Sequence, residues 1–324
     1  MKKLKLLSIL LILLLTSCTS RVDLNPGVGA TEYYRLDLKN LDKNDKLGNL
    51  RIITKGEYEF IEAKEKYNLD NDYVIDETGL DNLNISGSRQ FSVTQFIQLA
   101  TKLDEVAKGK KIYIIDLRQE NHSLINGYPV SYFKQHNWAN KDLSIKQIQD
   151  NQKKYFSNLE NKKLTAYLKG DEEEASKEYV ELIVEENISE KQLVEDYGYE
   201  YLNIPCIDHV WSSSENIDTF IEFVKGIDTD NTWLHFHCVA GEGRTGTFMC
   251  LYDMMKNPDV SMKDIMYRQT KLGSNYPLYL QQEDDWKKDL YKQKADYFVL
   301  LYEYVQENHL NNYEVSWSDW LASK

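Results

Sequence analysis

His237-Cys238-Val239-Ala240-Gly241-Glu242-Gly243-Arg244-Thr245-Gly246 is the stretch that decides the fold. Ahead of it, Trp233–His237 is an apolar, strand-type run. Behind it, Thr245–Lys256 places Phe248, Leu251, Tyr252 and Met255 on one helical face, and Pro258 ends the helix. A loop running from a strand into a helix N-terminus aims backbone N–H groups at one point and adds the positive end of the helix dipole. Gly241 and Gly243 are expected to supply unusual φ values and close backbone approach, so that residues 239–243 wrap an oxyanion with their amides. The planar fork of Arg244 suits two oxygens of a phosphate. The same positive potential favours the thiolate of Cys238. Thr245 is expected to hydrogen-bond that sulfur, and His237 to orient the cysteine through its backbone. The chemistry implied is attack on a phosphate ester through a phosphocysteine, with no metal or cofactor. A cysteine six residues before an arginine is weak evidence by itself; between an apolar strand and an amphipathic helix, with two glycines inside, it outweighs a buried Cys beside a chance surface Arg.

Outward from this loop the pattern alternates. Ser92-Val93-Thr94-Gln95 is a capping box before Phe96, Leu99, Ala100 and Leu103 at helical spacing. Strands are expected at Lys111–Leu117 and Tyr199–Ile204. Helices are expected after Ser214, after Ser261 and over Trp286–Asn308. Such alternation predicts an α/β fold with a mostly parallel central sheet flanked by helices. Residues 31–85 hold short strand-like runs, including Leu50–Thr54 and Tyr73–Ile75. The charged stretch 140–195 breaks the pattern, yet has strand-like runs at Leu164–Leu168 and Tyr179–Val184. It is expected to be an insertion that pairs with the N-terminal strands as a small β domain. The core is then 86–139 and 196–324.

The 324 residues carry a formal charge of −13 with 42% hydrophobic and 12% aromatic residues, which supports a real core and argues against nucleic-acid binding. A polyanion would need a local basic pocket in a repelling field. Lys2, Lys3 and Lys5 precede the apolar run Leu6–Leu15, too short to span a bilayer, and Leu15-Thr16-Ser17-Cys18 follows. This resembles a bacterial lipobox. It predicts a signal peptide over 1–18, lipidation of Cys18, a tether over 19–30 and an extracytoplasmic protein anchored to an envelope membrane. Cys206, Cys238 and Cys250 remain, an odd number that leaves a free thiol; Cys250 and Cys206 are expected to be buried and inert.

The loop resembles the signature of protein tyrosine phosphatases. Further motifs accompany it in order: Asn84-Ile85-Ser86-Gly87-Ser88, Asp116-Leu117-Arg118-Gln119-Glu120, Ile207-Asp208-His209-Val210-Trp211, Tyr267-Arg268-Gln269 and Asp285-Trp286-Lys287. Together they look like the bacterial tyrosine-phosphatase-like phytases, which remove phosphates from myo-inositol hexakisphosphate. The likeness runs over roughly residues 80–324 apart from the insertion. It implies that Asp208 is the general acid, that His209 contacts phosphate, and that Lys287, Tyr291 and Lys294, on one helix face, dock the other phosphates of a small polyanionic substrate. Arg118 is a weaker pocket candidate. Two departures stand out. Asp76-Glu77-Thr78-Gly79-Leu80-Asp81 is acidic where the family has an Arg, which predicts a lost phosphate contact. Glu242 lies inside the loop, either repelling polyanions or turned outward to a cation, and Ser212 replaces a Pro after Trp211. The competing expectations are a phosphatase for phosphotyrosine or phosphoinositides, and a binding lipoprotein with a retired site.

Overall fold

The computed structural model describes residues 32–36, 46–54, 57–168, 178–281 and 285–324. The leader, Cys18 and the tether lie outside the described residues.

The strand that ends at Cys238 is central. In chain order the first strands are β1 (Glu32–Leu36), β2 (Arg51–Ile53) and β3 (Ile85–Arg89), then helix α1 (Val93–Ala107) and β4 (Lys111–Asp116). Then come β5 (His122–Ile125), β6 (Tyr128–Lys134), α2 (Ile145–Phe156), β7 (Lys163–Leu168), β8 (Tyr179–Ile183), β9 (Asn187–Ile188), α3 (Glu190–Asp196) and β10 (Glu200–Asn203). The chain closes with α4 (Ser214–Lys225), β11 (Thr232–Cys238), α5 (Gly243–Lys256), α6 (Met262–Lys271), α7 (Lys288–Asn308) and α8 (Trp317–Ala322). One sheet has the order β10-β4-β11-β3-β2, parallel except for β2. All of β11 is buried, as a strand covered on both faces must be. Its period of two divides it. Leu234, Phe236 and Cys238 join the core formed with α4, α5 and α7, through Phe220, Phe248 and Leu301. Trp233 packs on the opposite side with Phe96, Leu99 and Leu103 of α1.

The capping box at Ser92 and Gln95 is present, and Ser261 caps α6. The cap of α4 is Ser213 rather than Ser214, and α7 starts at Lys288, two residues after Trp286. Tyr73–Ile75 is not a strand: Tyr73 stacks edge-on against Tyr267 and lies under the Lys263 ammonium, 3.7 Å from the ring centroid.

The second sheet has the order β8-β7-β1-β6-β5-β9. Strand β1 runs parallel to β7, so a strand from 31–85 meets one from 140–195. Two placements differ from expectation. The β5–β6 hairpin, from inside the stretch given to the core, belongs to this second sheet. Its turn is Asn126-Gly127, with φ of 50° and 84°, the two-residue geometry that matches strand twist. Strand β2, from the N-terminal segment, pairs with β3 and completes the core sheet instead.

Candidate active site

Cys238 is the last residue of β11, only 3% exposed, with the loop to α5 arched over it. The carbonyls of that loop are all engaged from outside. Gln90 N–H donates to Val239 O at 3.3 Å. Asn49 Nδ2 and Arg51 Nη2 donate to Gly241 O at 3.0 and 2.9 Å. Gly246 and Asn275 N–H both donate to Glu242 O at 3.2 Å. A planar trans peptide with its carbonyl outward turns the next N–H inward, so the amides of residues 240–243 converge on the space in front of the sulfur. Gly241, at φ 73°, makes this possible: a Cβ there would lie 2.4 Å from the backbone C and O of Ser88. Gly243 has no such need; a Cβ would sit 3.7 Å from Asn275 Nδ2, an ordinary contact, and the residue simply begins α5. Thr245 is fully buried, and its hydroxyl has no hydrogen-bond partner, so it does not bond to the sulfur here.

Sequence reasoning did not find Arg51. Its buried guanidinium holds Gly241 O, Ser274 Oγ and Asn49 O, propping the loop from beneath. Burial lowers its pKa to about 10 against the opposing pull of Cys238 and Glu242, so it remains a cation at neutral pH. Nothing in the Arg51-Ile52-Ile53 pattern marks it, because its partners Gly241 and Ser274 are 190 and 223 residues away.

Arg244 is a buried cation that lines the cleft. Its Nη1 donates to Glu120 Oε2 at 2.7 Å and to Cys206 O at 3.1 Å, and Nη2 donates to Glu120 Oε1 at 3.2 Å. Its fork is thus held rigid by a buried carboxylate. Glu120 was part of a quoted motif but had no role assigned. Burial alone would raise its pKa, yet Arg244 and Arg118 hold it far below the usual range. Arg118 does not line the cleft: buried, it pairs with Glu120 Oε1 at 2.9 Å and donates to Ser131 Oγ at 2.7 Å.

Asp208 Oδ2 lies 3.2 Å from Arg244 Nη2. Trp138 Nε1 donates to its backbone carbonyl at 2.8 Å, and Asn137 Nδ2 to Oδ2 at 3.3 Å. Burial pushes its pKa up, but Arg244 first and His209 second outweigh this, so the carboxyl sits below its ordinary value. His209 adopts a left-handed φ of 67° and packs edge-on to Trp286 at 5.1 Å.

These groups open on a cleft of about 260 Å³. Its walls include the expected His209, Lys287, Tyr291 and Lys294, together with Arg35 and Lys66, which sequence reasoning missed. Burial lowers the Lys294 pKa against the pull of Asp208. Glu242 turns to a cation: Lys64 Nζ is 2.6 Å from its Oε2. The acidic stretch 76–81 is not in the cleft. Its Asp76 and Thr78 carbonyls accept from buried Arg268 at 3.0 Å. Cys206 Sγ shares a hydrogen bond with Ser212 Oγ at 3.2 Å, and burial pushes its thiol up to about 12. Cys250 is fully buried; both behave as structural thiols. His237 is buried on the α1 side of β11, against Phe91 at 5.0 Å, and does not face the cleft.

The arrangement places a sulfur, a ring of amides, a rigid guanidinium and a carboxyl around one point. That set can accept a tetrahedral oxyanion, attack it and exchange a proton with its ester oxygen. Residues 115–256 match the family model for PTP-like phytase, inositol hexakisphosphate. The chain is 37% identical to the tandemly repeated protein tyrosine phosphatase like phytase from Mitsuokella multacida, with a TM-score of 0.82 over 90% of this chain and 49% of that one. It is 36% identical, at a TM-score of 0.79 and the same coverage, to the PTP-like myo-inositol phosphatase from that organism, solved in complex with myo-inositol-(1,3,4,5)-tetrakisphosphate. A PTP-like phytase from Bdellovibrio bacteriovorus matches at 27% identity and a TM-score of 0.69, over 90% of this chain and 95% of that one. The chain therefore spans about half the length of the Mitsuokella proteins.

Proposed function

We propose that the chain belongs to the PTP-like phytase family, whose model its residues 115–256 match, and that it hydrolyses phosphate monoesters of myo-inositol polyphosphates through a phosphocysteine. The observation that carries this is the loop 239–243, with its carbonyls engaged from outside, closed over Cys238 and flanked by Arg244 in the fixed grip of Glu120.

In the first half-reaction Cys238 Sγ attacks phosphorus. The ester P–O bond breaks, its electron pair stays on the leaving alkoxide, and Asp208 gives that oxygen a proton. In the second, water attacks the phosphocysteine and hands a proton to Asp208, the S–P bond breaks, and orthophosphate and thiolate are released. The amides of 240–243 and Arg244 hold the three non-bridging oxygens of the phosphoryl group throughout. Asp208 is a counterion of Arg244. A bound phosphate takes over that guanidinium and sets its own negative charge beside the carboxyl, and both changes raise the affinity of Asp208 for the proton it must donate.

A polyphosphate substrate fits the walls. Arg35, Lys66, Lys287 and Lys294 bring four cations to one cleft of a chain whose formal charge is −13. Field from so acidic a surface repels polyanions everywhere else. The test is release of orthophosphate from inositol hexakisphosphate against a phosphotyrosine peptide, with Cys238→Ser as control. Faster turnover of the ring substrate, abolished by C238S, is expected. Peptide turnover faster by orders of magnitude would make it a tyrosine phosphatase, and an active C238S protein would return the chain to a binding role.

We also propose that Cys18 is lipidated and the enzyme anchored outside the cytoplasm, on the support of the basic residues, apolar run and Leu15-Thr16-Ser17-Cys18. Incorporation of a palmitate analogue by the expressed chain, lost in Cys18→Ala, tests this.

A further inference from the structure

On the α1 side of β11, opposite the cleft, a buried chain of charged side chains plays no part in the steps above. His237 Nε2 lies 2.6 Å from Glu190 Oε1 and 3.9 Å from Asp116 Oδ1. Glu190 Oε2 is 3.4 Å from His122 Nε2, which is 3.3 Å from Asp116 Oδ2. His122 Nδ1 donates to the carbonyl of Glu120 at 2.8 Å. Asp116 is pinned by the Tyr201 hydroxyl at 2.7 Å, the Asn203 amide at 3.0 Å and the Arg118 N–H at 3.0 Å. The connection therefore runs from the strand that carries the nucleophile to the backbone of the residue that grips Arg244.

Charge fixes the roles within it. Burial and Arg118 work against a cation at His122, yet Asp116 and Glu190 prevail and push its pKa up to about 9, so the ring is charged at neutral pH. Burial would raise the pKa of Glu190, but His237 and His122 hold it well below the carboxylate range. A carboxylate is thus clamped between two imidazoles. Neither ring nitrogen of His237 makes a hydrogen bond, so the 2.6 Å contact of Nε2 with Glu190 Oε1 is what holds the ring.

We propose that Glu190, the first residue of α3, is a positioning residue for the nucleophile: locked by His122, it fixes the ring of His237 and with it the end of β11 that presents Cys238. Glu190 comes from the charged stretch that interrupts the α/β pattern, so the insertion contributes to the reaction centre from behind. Removing the carboxylate leaves a buried ring nitrogen without its counterpart, and the side chain must turn or pull on the strand to find another. A displacement of the sulfur by a fraction of an ångström is enough to slow attack.

The proposal rests on Cys238 as nucleophile, so its test reads that thiol without any substrate. The rate of Cys238 alkylation by iodoacetamide is followed by mass spectrometry from pH 5 to 9 in wild type, Glu190→Gln and His122→Gln, each checked for folding by circular dichroism. The titratable groups facing the pair are Asp116, His122 and Tyr201 on one side and His235, stacked 6.4 Å from His237, on the other, with Arg51 acting on His235. Expected are a displaced alkylation profile in E190Q, a smaller shift of the same sign in H122Q, and a kcat roughly tenfold lower with KM within about twofold. The effect acts through His237, so a Glu190→Gln, His237→Gln double variant should be no worse than His237→Gln alone. Superimposable alkylation profiles in folded E190Q or H122Q, or additive effects in the double variant, would overturn the proposal. So would a stoichiometric divalent metal on Asp116, His122 and Glu190, whose donor atoms lie within 4.8 Å of one another, if its removal by EDTA reproduced the variants.

Discussion

Gly241→Ala tests the cradle most directly. The added Cβ would fall 2.4 Å from the carbonyl carbon and oxygen of Ser88 and 2.6 Å from the amide nitrogen of Arg89. These are backbone atoms of β3, paired in parallel register with β11, and cannot swing aside as a side chain would. Normal contact begins near 3.4 Å, so the loop has to move by about 1 Å, and a misplacement of that size costs on the order of 10²-fold in rate. That is about 2.7 kcal/mol of transition-state stabilisation. Alanine at a left-handed φ adds about 1–2 kcal/mol of strain to the folded state. The assay pairs initial rates of orthophosphate release at saturating substrate with a thermal melt. The expected result is a large fall in kcat with a melting point lowered by a few degrees. A variant within twofold of wild-type kcat would refute the claim that this loop binds the transferring phosphoryl group.

Three further outcomes follow from the same geometry. Asp208→Asn should cut kcat most for poor leaving groups such as inositol alkoxides, by about 10²–10⁴-fold, and least for p-nitrophenyl phosphate, whose leaving group needs no proton; equal losses on both would exclude Asp208 as the acid. Lys287→Met and Lys294→Met should each raise KM for inositol hexakisphosphate several-fold and leave p-nitrophenyl phosphate unchanged, which steady-state kinetics on the two substrates will show. For His122 the folded pKa is raised to about 9 from 6.5, so its stabilising contribution is complete below pH 6.5 and is lost as pH rises through 9. Its magnitude is up to about 3 kcal/mol. Melting temperature measured from pH 6 to 10 should fall more steeply in wild type than in His122→Asn.

What the sequence made legible was local. The strand–loop–helix at 233–256, the capping box at Ser92 and the serine cap at 261 are decided by neighbours in the chain, and each is found in place. Lys287, Tyr291 and Lys294 were readable because helical spacing puts them on one face, and the same cleft gathers them. What could not be read depended on partners remote in sequence. Arg51 and Glu120 reach the loop and Arg244 across 190 and 124 residues. The acidic 76–81 stretch looked like a missing ligand, but its backbone caps Arg268 away from the cleft. Tyr73–Ile75 had the composition of a strand, and an aromatic contact with α6 settled its conformation instead. The β5–β6 hairpin was missed for a local reason: its Asn-Gly turn was there to be read.

The burial of Arg51 beneath the loop has a bearing on how the cleft tolerates salt. Mobile ions screen charges that water reaches, with a Debye length of about 8 Å at physiological strength, and leave enclosed charges largely untouched. Lys66 stands in the open and Lys287 and Lys294 are half-buried, whereas Arg35, Arg51 and Arg244 are sealed in protein. Brine should therefore loosen the outer grip on a multiply charged ring long before it weakens the hold on the single group being cleaved, giving a catalyst whose preference drifts toward small monoesters as ionic strength climbs.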